Sequence, residues 1–148
     1  MGRKILFITT DQQRYDALGC NGGAIARTPV IDALSRSGIT FDRAHPQNVV
    51  CMPSRSTMLT GQHVSTHGVW MNGVPLPEDA PSIATDLRNA GYATALIGKA
   101  HFEPLLDPFL RFTENRLGAE LATTDNPHDP HRGFDHMELA LSLIHISE

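Results

Sequence analysis

Between Cys51 and Gly61 the chain reads Cys-Met-Pro-Ser-Arg-Ser-Thr-Met-Leu-Thr-Gly, the densest group of potentially reactive side chains in the sequence. The pattern predicts a short helix with chemistry at its start. Pro53 suits a first helical turn, where a missing N–H leaves no partner unsatisfied. Ser54 and Ser56 are candidates to accept the free N–H groups at that end. A helix N-terminus favours negative charge, so an anionic substrate or an ionised nucleophile is stabilised there. Arg55 adds a planar cation able to hold a tetrahedral oxyanion through two hydrogen bonds. Taken alone, Cys51 reads equally as a small buried apolar residue. A Cys-x5-Arg phosphatase loop is excluded, because only Met52, Pro53 and Ser54 separate Cys51 from Arg55.

Two further groups carry polar chemistry. Asp11-Gln12 follows the apolar run Lys4 to Thr10 (KILFITT), and Lys99-Ala100-His101 follows the apolar run Tyr92 to Ile97. A carboxylate and an amide oxygen are hard ligands suited to Ca²⁺, Mg²⁺ or Mn²⁺. Asp11 alone reads as readily as the cap of a turn. Lys99 and His101 alternate about one spacer, so on extended backbone both point the same way, a pair of donors for a tetrahedral anion. Asn72-Gly73 reads by itself as the dipeptide of a tight turn. His45, His63 and His67 lack the paired spacing of a zinc site, and His45 is assigned no role.

Cys-x-Pro-Ser-Arg followed by Leu-Thr-Gly resembles the first signature of the sulfatases, within the alkaline-phosphatase superfamily. GYATALIGKAHF resembles their second signature, and Gly133-Phe134-Asp135 the structural Gly-Phe-Asp that follows it. The resemblance implies that Cys51 is oxidised to formylglycine, whose hydrated aldehyde is the nucleophile, by a maturation enzyme that reads Cys51, Pro53 and Arg55. It implies one divalent cation, Ca²⁺ before Mg²⁺ or Mn²⁺, held by Asp11, Gln12 and the modified Cys51. It gives Arg55, Lys99 and His101 catalytic roles, and it gives Asn72 a substrate contact. Gln12 stands where most members carry a second aspartate, leaving the metal site one negative charge poorer. That Asp-Gln pair is similar to the phosphonate monoester hydrolases and some bacterial sulfatases. The implied activity is hydrolysis of a small-molecule sulfate ester. The alternatives are phosphonate monoester or phosphodiester hydrolysis at the same site, and an inactive metal-binding remnant in which Cys51 stays a thiol.

These groups need a scaffold that delivers them to one place. The pattern predicts strands at Lys4 to Thr10, Ile39 to Phe41 and Tyr92 to Ile97. It predicts helices at Val30 to Ser37 and Pro81 to Ala90, and a short helix-like run within Cys51 to Gly61 that ends at the glycine. Alternation of this kind argues for an α/β fold with a largely parallel central sheet, part of an alkaline-phosphatase-like sandwich, with the candidates at the carboxyl ends of strands. Residues 103–120 read as partly helical, and Asn126 to His136 as a polar loop. Residues 1–140 read as the N-terminal part of a longer catalytic domain, and 141–148 (LSLIHISE) as a non-native tail. The chain on its own is expected to be inactive.

Composition narrows the classes. With 41% hydrophobic and 19% charged residues the chain is globular rather than disordered. A net charge of −4 gives no reason to expect a nucleic-acid partner. Two cysteines, Cys20 and Cys51, cannot form a disulfide framework, although one bridge between them would consume the proposed nucleophile. No run approaches the roughly 20 apolar residues of a membrane span. The N-terminus lacks a signal-peptide apolar region, which gives the expectation of a cytoplasmic protein with no membrane partner.

Overall fold

The computed structural model describes residues 2–105, 107–109, 111–119, 123–125 and 131–140. The suspected tail at 141–148 and residues 126–130 of the polar loop lie outside the described residues. The chain divides into two compact units, Met1–His45 and Pro46–Glu148, and each is described by itself.

The first unit is organised by a carboxylate. Short 3-10 turns at Tyr15–Ala17 and Gly19–Asn21 precede helix α1, Pro29–Ser37. Thr28 stands at the N-cap, but its hydroxyl does not cap the helix. It accepts from Gly19 N at 2.8 Å and donates to Asp32 Oδ1 at 2.9 Å, while Cys20 N donates to the same oxygen at 2.8 Å. The approach requires glycine at position 19, since a Cβ there would lie 2.6 Å from Asp32 Oδ2. The Thr28 hydroxyl, opposed by desolvation and aided by the Cys20 amide, holds the Asp32 carboxyl below its ordinary range.

Two predicted strands do not form. Residues 4–10 and 39–41 are in no ladder, and Ile5, Leu6, Phe7, Ile8, Ile39 and Phe41 are exposed. A strand is stable through the neighbours it pairs with, and the first unit contains no strand among its described residues. The apolar face of α1 is likewise exposed at Val30 and Leu34.

The second unit holds the sheet. Helix α2, Cys51–Thr60, ends at Gly61 in the left-handed region (φ 67) and leads through the short α3, Val64–His67, to α4, Ile83–Asn89. Strand β1 is Ala95–Gly98. Helix α5 is Thr113–Ala119, and strands β2, Thr123–Asp125, and β3, His136–Leu139, follow. Their order is β1-β3-β2. β1 and β3 are parallel, with Ala95 opposite His136 and Gly98 opposite Leu139, and β2 runs antiparallel to β3. The architecture is α/β, with a parallel pair at the edge that carries Lys99.

α4 begins two residues later than predicted, because Ser82 caps it by accepting from Ala84 N at 3.2 Å. Its buried residue is Ala84, whereas Ile83 is exposed. The core gathers Met52, Leu59, Val69, Leu76, Ala100, Phe102 and Met137, so α2 lies against the segment just beyond β1. Gly133-Phe134-Asp135 is structural, as expected. Thr94 Oγ1 donates to Gly133 O at 2.6 Å, and Arg88 Nε donates to Asp135 Oδ1 at 2.7 Å. The loop thereby ties α4 to the start of β1. Among the described residues no helix is long and apolar enough to cross a membrane.

Candidate functional site

α2 presents Cys51 at its first position, half-buried, with Met52 and Pro53 buried beneath it. Val50 is the extended N-cap (φ −104, ψ 148) and supplies no side-chain cap. Its carbonyl already accepts from Ser54 N at 3.2 Å. The expected serine caps are not what holds this end. Ser56 is fully buried and its hydroxyl has no hydrogen-bond partner among the described residues. Asn72 Oδ1 instead accepts from Met52 N at 3.0 Å. Sequence reasoning missed this cap, because it joins residues 20 positions apart, which no local pattern records.

Three of the predicted residues converge at the end of β1. Lys99 Nζ donates to Cys51 Sγ at 3.6 Å, and Arg55 Nη1 donates to Lys99 O at 2.8 Å. One arm of Arg55 therefore joins α2 to the strand's carboxyl end. Neither Cys51 nor Cys20 is disulfide-bonded, so no bridge consumes the candidate nucleophile. His101 lies two residues past Lys99 and is only 8% exposed. Its φ of 61 places it in the left-handed region, so the backbone is not extended there. The extended backbone on which the alternation of Lys99 and His101 rests is therefore absent at His101.

His67 ties the far side of α2. Its Nδ1 accepts from Val69 N at 3.1 Å, which leaves the proton of the neutral ring on Nε2, directed to Thr57 Oγ1 at 2.9 Å. Desolvation pushes its pKa below the usual histidine value. The neutral tautomer is thus the form the fold selects.

Asp11 and Gln12 belong to the first unit. Asp11 is half-buried, and Gln12 is exposed with φ 53, a backbone conformation that a non-glycine residue adopts only under constraint. A carboxylate and an amide carbonyl on adjacent residues suit a hard divalent cation, which takes six to eight oxygens in the case of Ca²⁺. The donor set fits such an ion and supplies part of its shell.

A second acidic group does not fit a metal. Glu103, Glu114 and His131 each offer a ligand atom within 4.8 Å of the others. Glu114 accepts from Phe102 N with both oxygens, at 3.0 and 3.1 Å, and Glu103 Oε2 accepts from Glu114 N at 2.8 Å. Arg132 Nη2 lies 3.8 Å from Glu103 Oε1 and also donates to Leu76 O at 2.7 Å. A buried guanidinium already supplies the counter-charge, and the carboxylates serve backbone N–H groups. Burial pulls the Arg132 pKa down, opposed first by Glu103 and then by Glu114. This is a structural lock around the segment that follows His101.

Comparison with known proteins agrees with the two signatures. The family model described as Sulfatase matches residues 3–136. An ulvan-active sulfatase of Formosa agariphila is 36% identical over 100 residues, covering 68% of this chain and 20% of its own. A phosphonate monoester hydrolase from Silicibacter pomeroyi superposes with TM-score 0.68 at 32% identity, over 97% of this chain and 26% of its own. A protein solved in complex with its substrate D-glucosamine-2-N,6-O-disulfate superposes with TM-score 0.61 at 35% identity, over 64% of this chain and 19% of its own. The chain spans about a fifth of the length of the curated relatives it matches.

Proposed function

Because the chain belongs to the sulfatase family, we propose that it carries the nucleophile side of the active site of a sulfate-ester hydrolase. The contact that supports this most is Lys99 Nζ against Cys51 Sγ at 3.6 Å, which joins the two signatures at one point. Residues 1–140 form the N-terminal part of a longer catalytic domain on this reading, and a small-molecule sulfate ester is the substrate.

Each residue then has a defined task. Formylglycine at position 51, made by a maturation enzyme, supplies a hydrated aldehyde as the oxygen nucleophile. Asp11 and Gln12 would hold a divalent cation, which when bound would supply Lewis acidity. The Lys99 ammonium lies beside position 51, where charge builds on the sulfate oxygens during transfer. One donor of this kind contributes about 10²–10³ in rate. Arg55 fixes Lys99 through its carbonyl and offsets charge at the nucleophile. His101, buried next to them, binds the leaving group or passes it a proton.

The phosphonate monoester reading shares this frame and is favoured by Gln12, by Asn72 and by the superposition on the Silicibacter enzyme. Peptide mass spectrometry of the Cys51 region, with and without a co-expressed maturation enzyme, is the first test. Formylglycine is the expected product, and a fully alkylatable thiol in both samples refutes the proposal in favour of a remnant. Turnover of an aryl sulfate and an aryl phosphonate by the longer catalytic domain then separates the two hydrolase readings. The 148-residue chain alone is expected to turn over neither.

A further inference from the structure

Helix α2 begins without a capping side chain of its own. Val50 has no oxygen to offer beyond its backbone, Pro53 has no N–H, and Ser54 N already donates to Val50 O. Just ahead of the helix, Val50 N donates to Asn48 Oδ1 at 2.9 Å, and the first donor after Cys51 is the amide of Met52. Asn72 Oδ1 accepts it at 3.0 Å. The loop that brings Asn72 there is anchored at both ends, by Val69 (0% exposed) and Leu76 (2% exposed). One residue on, Gly73 N meets Met52 Sδ at 3.1 Å.

We infer that Asn72 is a positioning residue. Its amide oxygen caps α2 from 20 positions away, fixes the peptide that follows position 51, and so holds that side chain toward Lys99. The inference rests on the proposed role of position 51 only for its catalytic meaning. The cap itself does not depend on that role. With Oδ1 occupied by Met52 N, what Asn72 has to offer a substrate is the Nδ2–H donor. Acceptor and donor functions are therefore separable by substitution. Asn72→Asp keeps the acceptor and adds a negative charge where the helix dipole favours one. Asn72→Ala removes both functions.

The test is amide hydrogen exchange at Met52, together with the rate at which iodoacetamide alkylates Cys51, in the chain and its two variants. Loss of an N-cap corresponds to about a tenfold change in an opening equilibrium. Asn72→Ala is expected to speed Met52 exchange about tenfold and to quicken Cys51 alkylation, with Ile97 exchange in β1 unchanged. Asn72→Asp is expected to restore both rates. Unchanged Met52 protection in Asn72→Ala, or an Asn72→Asp chain as unprotected as Asn72→Ala, overturns the inference. Should Asn72→Ala unfold altogether, Met52 protection in Asn72→Asp alone decides: protected supports the cap, unprotected refutes it. Failure of the sulfatase reading appears elsewhere, as a Cys51 that is never oxidised, and leaves Met52 protection untouched.

Discussion

Gly91 and Gly133 share a backbone conformation, φ 87 in both, yet differ in their surroundings. A Cβ at Gly91 meets nothing within 4 Å, whereas one at Gly133 falls inside contact distance of Thr85 N, 2.5 Å from Thr85 Oγ1 and 2.6 Å from Thr85 Cα. Two of those three atoms are helix backbone, which cannot swing aside. Replacing either glycine by alanine incurs the left-handed penalty of about 1–2 kcal/mol. Gly133→Ala adds an overpacking term of about 1–3 kcal/mol, because α4 must move away from the loop that carries Asp135. The pair therefore differs by about 1–3 kcal/mol, or roughly 2–12 °C in midpoint for a chain of this size. Thermal unfolding followed by circular dichroism measures it. If both alanine variants melt together, the close approach of the Gly133 loop to α4 is wrong, and so is its role in fixing β1.

His67 gives a pH test. Its folded pKa is depressed by burial, so its stabilising effect is complete above the unfolded value of about 6.5 and is lost as pH falls from there through the folded pKa. Melting temperatures between pH 7.5 and 5 should fall, and His67→Gln should flatten that slope; an equal slope in both proteins refutes the buried neutral ring. In the longer hydrolase proposed above, Lys99→Ala should lower kcat about 10²-fold or more, and a kcat within threefold of the unsubstituted enzyme removes Lys99 from the reaction. Asp11→Ala should move the Ca²⁺ concentration needed for half-maximal turnover upward, and an unmoved requirement removes Asp11 from the metal site.

What the sequence disclosed follows from the range of the forces involved. α2 was readable as a short helix ending at Gly61 because its signals are local: a proline in its first turn and the glycine that stops it. α4 was misplaced at its start, because Ser82 capping outweighed the preference for proline at the first helical position. Lys4 to Thr10 has the composition of a buried strand, but composition does not supply a partner, and no ladder forms in that unit. β3 was hidden for the opposite reason. His136–Leu139 is short and half polar, and it is a strand because β1 and β2 flank it. The proximity of Lys99 and Arg55 to Cys51 followed from the two signatures read together, whereas the Met52–Asn72 cap is a long-range contact with no sequence signal.

The left-handed backbone at His101 needs something to hold it, and the acidic group outside the site supplies the support. Among the described non-glycine residues, positive φ occurs only at Gln12, His101 and Arg132, and conformations of this kind cost about 1–3 kcal/mol each. The peptide N–H that leaves His101 is that of Phe102, and both Glu114 oxygens accept it. The carbonyl of Phe102 accepts from Leu76 N at 2.9 Å. Arg132, itself left-handed, donates to Leu76 O and faces Glu103, whose other oxygen accepts from Glu114 N. These bonds close a loop around both peptide groups of Phe102, with Ala100 and Phe102 in the core on either side of the histidine. The buried carboxylates therefore act on the candidate site through the backbone: they fix the turn that takes the chain from Lys99 beside Cys51 to a histidine buried two residues later.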